Sequence, residues 1–279
     1  MSSPNNRSLA RILLFHGLLS SPQEFGLITH AMRSKGLPHE AVTVPGYTLA
    51  NGVATDWRCW RAAAFDVVDT RAPGNAPVIL GGLCTGGVLA ASVALQARER
   101  VAGLVLMSPS FNFDGWGLSP VRHLRHIGYL TRLDRYFFVT EREPYGVKNA
   151  RIREWIAREL RERSQSAAGP ARVPLRALRE AERLAKYVRA RLHELSCPIL
   201  VIHAREDEIS SLTSVERFFA ALPQVDKELV ILENSYHMVT IDNDRQMLPA
   251  LIDRFCRRLS SETAADHALS NPKRVPQTG

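Results

Sequence analysis

The run Pro77-Val-Ile-Leu-Gly-Gly-Leu-Cys84-Thr-Gly-Gly87-Val constrains this chain more than any other segment. Its apolar first half reads as a buried strand, and its glycines force a sharp turn into a helix that begins at Thr85. A side chain at such a corner projects from strained backbone, while Gly82 and Gly86 keep neighbouring Cβ atoms out of its way. The helix start aims free N–H groups and a positive dipole end at the sulfur, which favours thiolate. Cys84 is therefore expected to be unusually reactive. The bland alternative is a small buried cysteine at a strand end, a common place for free thiols.

A reactive thiol becomes an acyl-transfer site only with a base, a carboxylate to orient it and donors for an oxyanion. The apolar run Pro198-Ile-Leu-Val-Ile-His-Ala204 reads as a strand that ends in Arg205-Glu-Asp207-Glu-Ile209. Glu228-Leu-Val-Ile-Leu232 reads as the next strand and is followed by Glu233-Asn-Ser-Tyr-His237. Nucleophile, acid and histidine thus come in the order Cys84, Asp207, His237, each just after a strand. Ligands of open parallel sheets bind at that edge, so residues distant in sequence converge there. Near the start, Arg11-Ile-Leu-Leu-Phe-His16-Gly17-Leu18-Leu19 supplies a strand and a turn. The backbone N–H groups of Leu18 and Thr85 are the expected oxyanion donors. Glu206 or Glu208 is an alternative acid, and His203 an alternative base, although its place inside a strand suits a core role better.

On these residues the chain resembles the α/β-hydrolase superfamily, and within it the branch of bacterial carboxylesterases and monoacylglycerol lipases. The likeness covers roughly residues 10 to 259. It rests on the His16-Gly17 turn, Val44-Pro45-Gly46-Tyr47, the Gly82-x-Cys84-x-Gly86 elbow, Arg205-Glu-Asp207-Glu-Ile209, and Glu233-Asn-Ser-Tyr-His237-Met-Val-Thr-Ile-Asp242. The resemblance implies a Cys84, Asp207, His237 triad with an oxyanion hole at Leu18 and Thr85. It also implies a mostly parallel sheet with helices on both faces and an inserted helical cap over the site. Two departures stand out: the branch has serine at position 84, and glycine where Tyr236 precedes the histidine. Cysteine in this box is similar to dienelactone hydrolases, polyhydroxyalkanoate synthases and transferases that move acyl groups between carrier-protein thiols.

The alternation of elements supports the same architecture. Strands are expected at 11–16, 41–45, in the elbow run, and at 101–107, 198–204 and 228–232. Helices are expected from Ser21-Pro22, near 56–70, after Cys84, near 213–222, and at the end, where Met247, Leu248, Leu251, Ile252 and Phe255 share a face. With 279 residues, 45% apolar, the chain can bury one large core. Residues 1–9 read as a flexible N-terminus, 10–259 as the hydrolase domain with a cap at about 111–192, and 260–279 as a disordered tail. Cysteines 59, 84, 197 and 256 show no metal-type spacing, so neither disulfides nor a metal site is expected, and no cofactor is implied. His123 and His126 are three apart but lack a third ligand nearby. Met1-Ser-Ser-Pro-Asn-Asn-Arg has no apolar signal core, and no apolar run approaches membrane-spanning length. A cytoplasmic, reducing setting is the expectation.

Charge is distributed unevenly. Residues 121–192 hold 18 Lys and Arg against 8 Asp and Glu, an excess of ten in a chain whose net charge is +8. Pairs such as Glu154 with Arg158 account for part of it as a solvated helical surface. The remainder is expected to attract an anionic partner: a coenzyme A thioester, the phosphopantetheine arm of an acidic acyl carrier protein, or an anionic small molecule. Nucleic acid is the weaker fit, since aromatic residues in a cap more often line an apolar pocket.

The function expected from the residues is attack by Cys84 on a small-molecule ester or thioester, with water or another acceptor releasing the acyl group. A thioester donor exchanges one thioester for another, so acyl transfer without significant hydrolysis is an open alternative. A non-catalytic acyl-ligand binder is a further one, marked by an unreactive Cys84.

Overall fold

The computed structural model describes residues 9–48, 56–119, 123–166 and 169–270, with side chains described as far as residue 261. Five α-helices and six parallel strands form its body. In chain order these are β1 (Arg11–Phe15), α1 (Gly26–Ser34), β2 (His39–Val42), α2 (Trp57–Arg71), β3 (Val78–Leu83), α3 (Thr85–Ala94) and β4 (Val101–Met107). After the cap the chain resumes with β9 (Ile199–Ala204), α7 (Leu212–Ala221), β10 (Lys227–Leu232) and α8 (Leu248–Ser270). The strands lie in the order β10-β9-β4-β3-β1-β2, all neighbours parallel.

Strand alternation splits the core into two layers. Leu13, Leu80, Leu104 and Val201 face one side with α2, α3 and α7, while Ile12, Ile79, Val105 and Leu200 face the other with α1 and α8. Successive residues therefore point to opposite faces, and continuous apolar runs follow from a sheet covered on both sides. Local signals set the helix starts: Asp56 accepts the Arg58 N–H at 2.8 Å, and Ser211 the Ser214 N–H at 3.3 Å.

Between β4 and β9 lies the inserted segment that the sequence reading expects to be a cap. It holds α4 (Arg125–Thr131), β5 (Phe138–Thr140), α5 (Ala150–Arg163), β6 (Gln165–Ser166), β7 (Gly169–Pro170), β8 (Arg172–Pro174) and α6 (Leu175–Arg189), with β5 pairing β8 and β6 pairing β7. α6 anchors the cap, since Ala181, Leu184, Ala185 and Val188 join the core layer of α3. α4, by contrast, buries none of its residues.

Three expectations shift. β2 begins two residues earlier than the 41–45 reading, and Met247 is exposed at the mouth of α8 instead of facing the sheet. α8 also continues beyond Ser260 to Ser270, because no proline interrupts Ser-Ser-Glu-Thr-Ala-Ala-Asp-His-Ala-Leu before Pro272. Residues 1–8 of the flexible segment expected at 1–9, and residues 271–279 of the expected tail, lie outside the described residues.

Candidate active site

Cys84 occupies the corner between β3 and α3 with φ +58° and ψ −128°, a conformation strained for a residue with a Cβ. Close packing imposes it. A Cβ on Gly82 would lie 2.3 Å from the Gly86 carbonyl carbon, and one on Gly86 only 2.1 Å from the Phe15 carbonyl oxygen. The Cys84 N–H donates to Met107 O at 3.0 Å and its carbonyl accepts the Ser110 N–H at 3.3 Å, which ties the corner to the end of β4.

The expected acid and base meet beside it. His237 Nδ1–H donates to Asp207 Oδ2 at 2.7 Å, and Asp207 Oδ1 accepts the N–H groups of Ile209 and Ser210, each at 2.8 Å. Both side chains are buried, whereas Cys84 is half-buried. Burial alone would raise the Asp207 carboxyl; the His237 charge and these hydrogen bonds outweigh it and hold the group below the ordinary carboxylate range. Burial alone would likewise depress His237, but the charges of Asp207 and Cys84 push it well above the ordinary imidazole range. The Cys84 thiol is raised by burial and lowered, on balance, by the His237 charge and by hydrogen bonds. The two shifts run in the direction that favours thiolate and imidazolium, each group's charge favouring the other's. His237 Nε2 has no partner of standard hydrogen-bond geometry among the described residues, while the sulfur is near enough for its charge and its hydrogen-bonding to raise the imidazole.

The neighbouring acids and the second histidine have other partners. Glu206 forms an exposed ion pair with Lys148. Glu208 accepts the His237 backbone N–H at 3.1 Å. His203 is buried behind Asp207, donates from Nε2 to Ser210 O at 3.0 Å, and is held below the ordinary imidazole range chiefly by burial. Its Nδ1 lies 3.7 Å from Asp207 Oδ2.

The N–H groups of Leu18 and Thr85 make no hydrogen bond among the described residues and flank the corner from β1 and α3. The turn carrying Leu18 is clamped from two sides. His16 Nδ1–H donates to Gly17 O at 2.8 Å, its Nε2 accepts from Thr48 Oγ1 at 2.7 Å, and the Tyr47 hydroxyl donates to His16 O at 3.0 Å. This is the structural use of the Val44-Pro45-Gly46-Tyr47 stretch. From the opposite side, Glu24 Oε2 accepts the Gly17 N–H at 2.7 Å. Leu19 completes the turn in the left-handed region with φ +54°.

Sequence reasoning missed Ser110 and Glu24. Ser110 Oγ lies 3.3 Å from Cys84 Sγ, closer than the 3.8 Å of Thr85 Oγ1. Glu24 is 2% exposed, and burial raises its carboxyl to about 7 against the pull of Gly17, Ser20 and the His237 charge. Glu208 is likewise raised by burial to about 7. Glu141, from the segment between β4 and β9, is exposed, yet the protein around its carboxyl raises it to about 7 and it too feels the His237 charge. No pattern marked Glu24 or Glu141 among the 28 acidic residues of the chain, and Glu208 stood out only as an alternative to Asp207.

Asp242, the last residue of the most specific stretch of the resemblance, positions the histidine loop. It accepts the N–H groups of Lys148, Asn149 and Tyr236 at 2.7, 2.9 and 2.8 Å, joining that loop to the start of α5. Tyr236 turns outward onto Trp116, edge to face at 5.4 Å.

The basic excess lies outside this cluster. Arg125, Arg153, Arg179 and Arg183 pair with Glu182, Glu143, Asp134 and Glu180. Arg153, Arg158 and Arg161 line a groove of 440 Å³ along α5, none of whose walls belongs to the Cys84 cluster. His123 and His126 are exposed, and among the described residues no group of three His, Cys, Asp or Glu side chains is arranged to hold a metal.

Residues 6–244 match the family model described as serine aminopeptidase, S33 (Hydrolase_4). The chain belongs to that family. It is an enzyme of the α/β-hydrolase class, and its sheet and helices are the α/β-hydrolase fold. It is 21% identical over 253 residues to a carboxylesterase of Bacillus subtilis, covering 89% of this chain and 92% of that one. It is also 32% identical over 97 residues to a thermostable monoacylglycerol lipase of Bacillus sp. H-257, a match spanning 35% of this chain and 36% of that protein. The monoacylglycerol lipase of Paleococcus ferrophilus superposes with a TM-score of 0.71 at 15% identity, covering 89% of this chain and 94% of the other. The S33 family is named for serine; this member carries a thiol at the elbow.

Proposed function

We propose that this S33-family enzyme acts on a carboxylic ester or thioester through an acyl-enzyme on Cys84. His237 carries the proton, Asp207 orients it, and the Leu18 and Thr85 N–H groups receive the oxyanion. The observation that carries this reading is the buried 2.7 Å Asp207–His237 contact, with the unpartnered His237 Nε2 beside a cysteine held at φ +58°. A core cysteine needs none of that arrangement.

In the first half the thiolate attacks the carbonyl carbon, and the displaced electron pair settles on oxygen in front of Leu18 and Thr85. Collapse breaks the bond to the leaving alcohol or thiol, which takes its proton from His237 Nε2. In the second half the now neutral His237 removes a proton from the acceptor, which attacks the thioester. The C–S bond breaks and the thiolate and imidazolium are restored. Water as acceptor completes hydrolysis; an amine, alcohol or thiol completes transfer.

Similarity to the carboxylesterase and the monoacylglycerol lipase supports ester hydrolysis as the class. The cysteine favours a thioester donor within it. Loading from a thioester is nearly isoenergetic, whereas from an oxygen ester the thiolate leaves more readily than the alkoxide and the intermediate falls back. Coenzyme A and acidic carrier-protein thioesters are the donors this reading favours.

The test is intact-mass spectrometry after incubation with acyl thioesters and activated esters. Wild type is expected to gain one acyl group that disappears in Cys84→Ala. Loading that persists there, or maps to Cys59, Cys197 or Cys256, refutes the assignment.

A further inference from the structure

The cap's outer surface carries a feature that the reaction does not use. Twelve large apolar side chains are exposed among the described residues, and eight of them fall between Leu124 and Val139. Leu124, Ile127, Leu130 and Leu133 repeat at every third position along α4 and the turn after it, and Leu130 is 86% exposed. Phe137 and Phe138 extend the surface into β5. Such a concentration of uncovered apolar side chains marks an interaction surface, not the scattered exposure usual on a folded protein.

Its margin is basic. Arg132, Arg135, Arg172 and Arg176 are exposed and form no ion pair among the described residues. The Arg135 guanidinium sits 4.7 Å over the Tyr136 ring, and that of Arg172 lies 4.5 Å over Phe138. Each cation is thus held against an apolar ring with its remaining donors free, the posture of a side chain that spans an apolar layer and a charged one.

We propose that this face of the cap docks the enzyme onto the surface of an anionic lipid bilayer, with Ile127, Leu130 and Phe137 entering the headgroup boundary and Arg135, Arg172 and Arg176 meeting lipid phosphates. Apolar burial and phosphate attraction are the two terms that hold a segment in the plane of a membrane surface, and both are present here side by side. The protein lies on the bilayer, since no helix among the described residues is long and apolar enough to cross one. Two copies meeting through this face would bring their arginine margins together, which like-charge repulsion opposes. An acidic carrier protein would pair with the arginines but leave the leucines and phenylalanines in water.

The test is co-sedimentation of the full chain with vesicles of phosphatidylcholine alone and of phosphatidylcholine mixed with phosphatidylglycerol. Binding is expected to the anionic vesicles and to weaken with salt. Leu130→Asp combined with Ile127→Asp should weaken it tenfold or more at unchanged melting temperature, because both positions are already exposed. Each of Arg135→Glu and Arg172→Glu should cost about fivefold or more, the equivalent of ~1 kcal/mol per basic residue at a membrane surface. Cys84→Ala should bind like wild type, which separates this proposal from the catalytic one. Equal sedimentation with both vesicle types, or none with either, overturns it. So does a wild-type dimer that Leu130→Asp dissociates, which would assign the face to a second copy, or preferential binding of an acidic carrier protein through the arginines that survives Leu130→Asp.

Discussion

Replacing Glu24 by glutamine isolates the electrostatic cost of a carboxyl buried beside the Gly17–Leu18 turn. Glu24 is 2% exposed, and its carboxyl is raised from the ordinary 4.5 to about 7, with burial the leading cause. Below pH 4.5 the group is protonated in folded and unfolded chains alike and contributes nothing to pH dependence. As pH rises the unfolded chain releases its proton first, so the native state loses stability until about pH 7, where the folded group also ionises and the loss is complete. A shift of two to three units corresponds to about 3 kcal/mol at ~1.4 kcal/mol per unit. Glutamine cannot titrate, yet its amide oxygen can still accept the Gly17 N–H. Any constant offset from the substitution cancels when the two proteins are compared at two pH values. Urea unfolding at pH 4.5 and pH 8 should therefore show the variant gaining about 3 kcal/mol on wild type between them. Equal pH dependence of the two proteins refutes the assignment of a costly carboxyl to Glu24.

The other predictions concern the reaction itself. Ser110→Ala removes a hydrogen bond to the sulfur, so the thiol should become less acidic and its alkylation by iodoacetamide at pH 6 should slow about tenfold; an unchanged pH profile removes Ser110 from the site. His237→Ala is expected to cost on the order of 10⁴-fold in acyl transfer and Asp207→Asn roughly fiftyfold less than that, with the double variant little worse than His237→Ala. Additive losses, or a larger loss in Glu208→Gln than in Asp207→Asn, move the acid role. A coenzyme A or carrier-protein thioester should acylate Cys84 more slowly as salt rises, and more slowly in Arg151→Glu and Arg158→Glu, while a short neutral thioester is indifferent to both. Matching salt profiles for the two donors return the cap arginines to a solvated surface.

What the sequence determined by itself were the features written in consecutive residues. Apolar runs place the inner strands β1, β3, β4 and β9 because a sheet buried on both faces needs nearly uninterrupted apolar residues, whereas the edge strand β2, His-Glu-Ala-Val, starts two residues before its expected place. Glycines flanking Cys84 mark the corner because only their missing side chains let β3 and α3 approach Phe15. The order Cys84, Asp207, His237 follows from each lying just beyond a strand of one parallel sheet.

The tertiary structure decided which side chain of a cluster points where. Glu206, Asp207 and Glu208 are adjacent in a turn, where consecutive side chains diverge: one reaches Lys148, one the His237 ring and one the His237 backbone. Ser110 and Glu24 come to the thiol and to the Gly17–Leu18 turn through contacts 26 and 7 residues long, with no local pattern to announce them. Composition likewise registered the cap as basic, but a charge count carries no direction. Only packing separates the arginines paired with carboxylates from those beside uncovered leucines, because a helix face is known as inner or outer only once something lies against it.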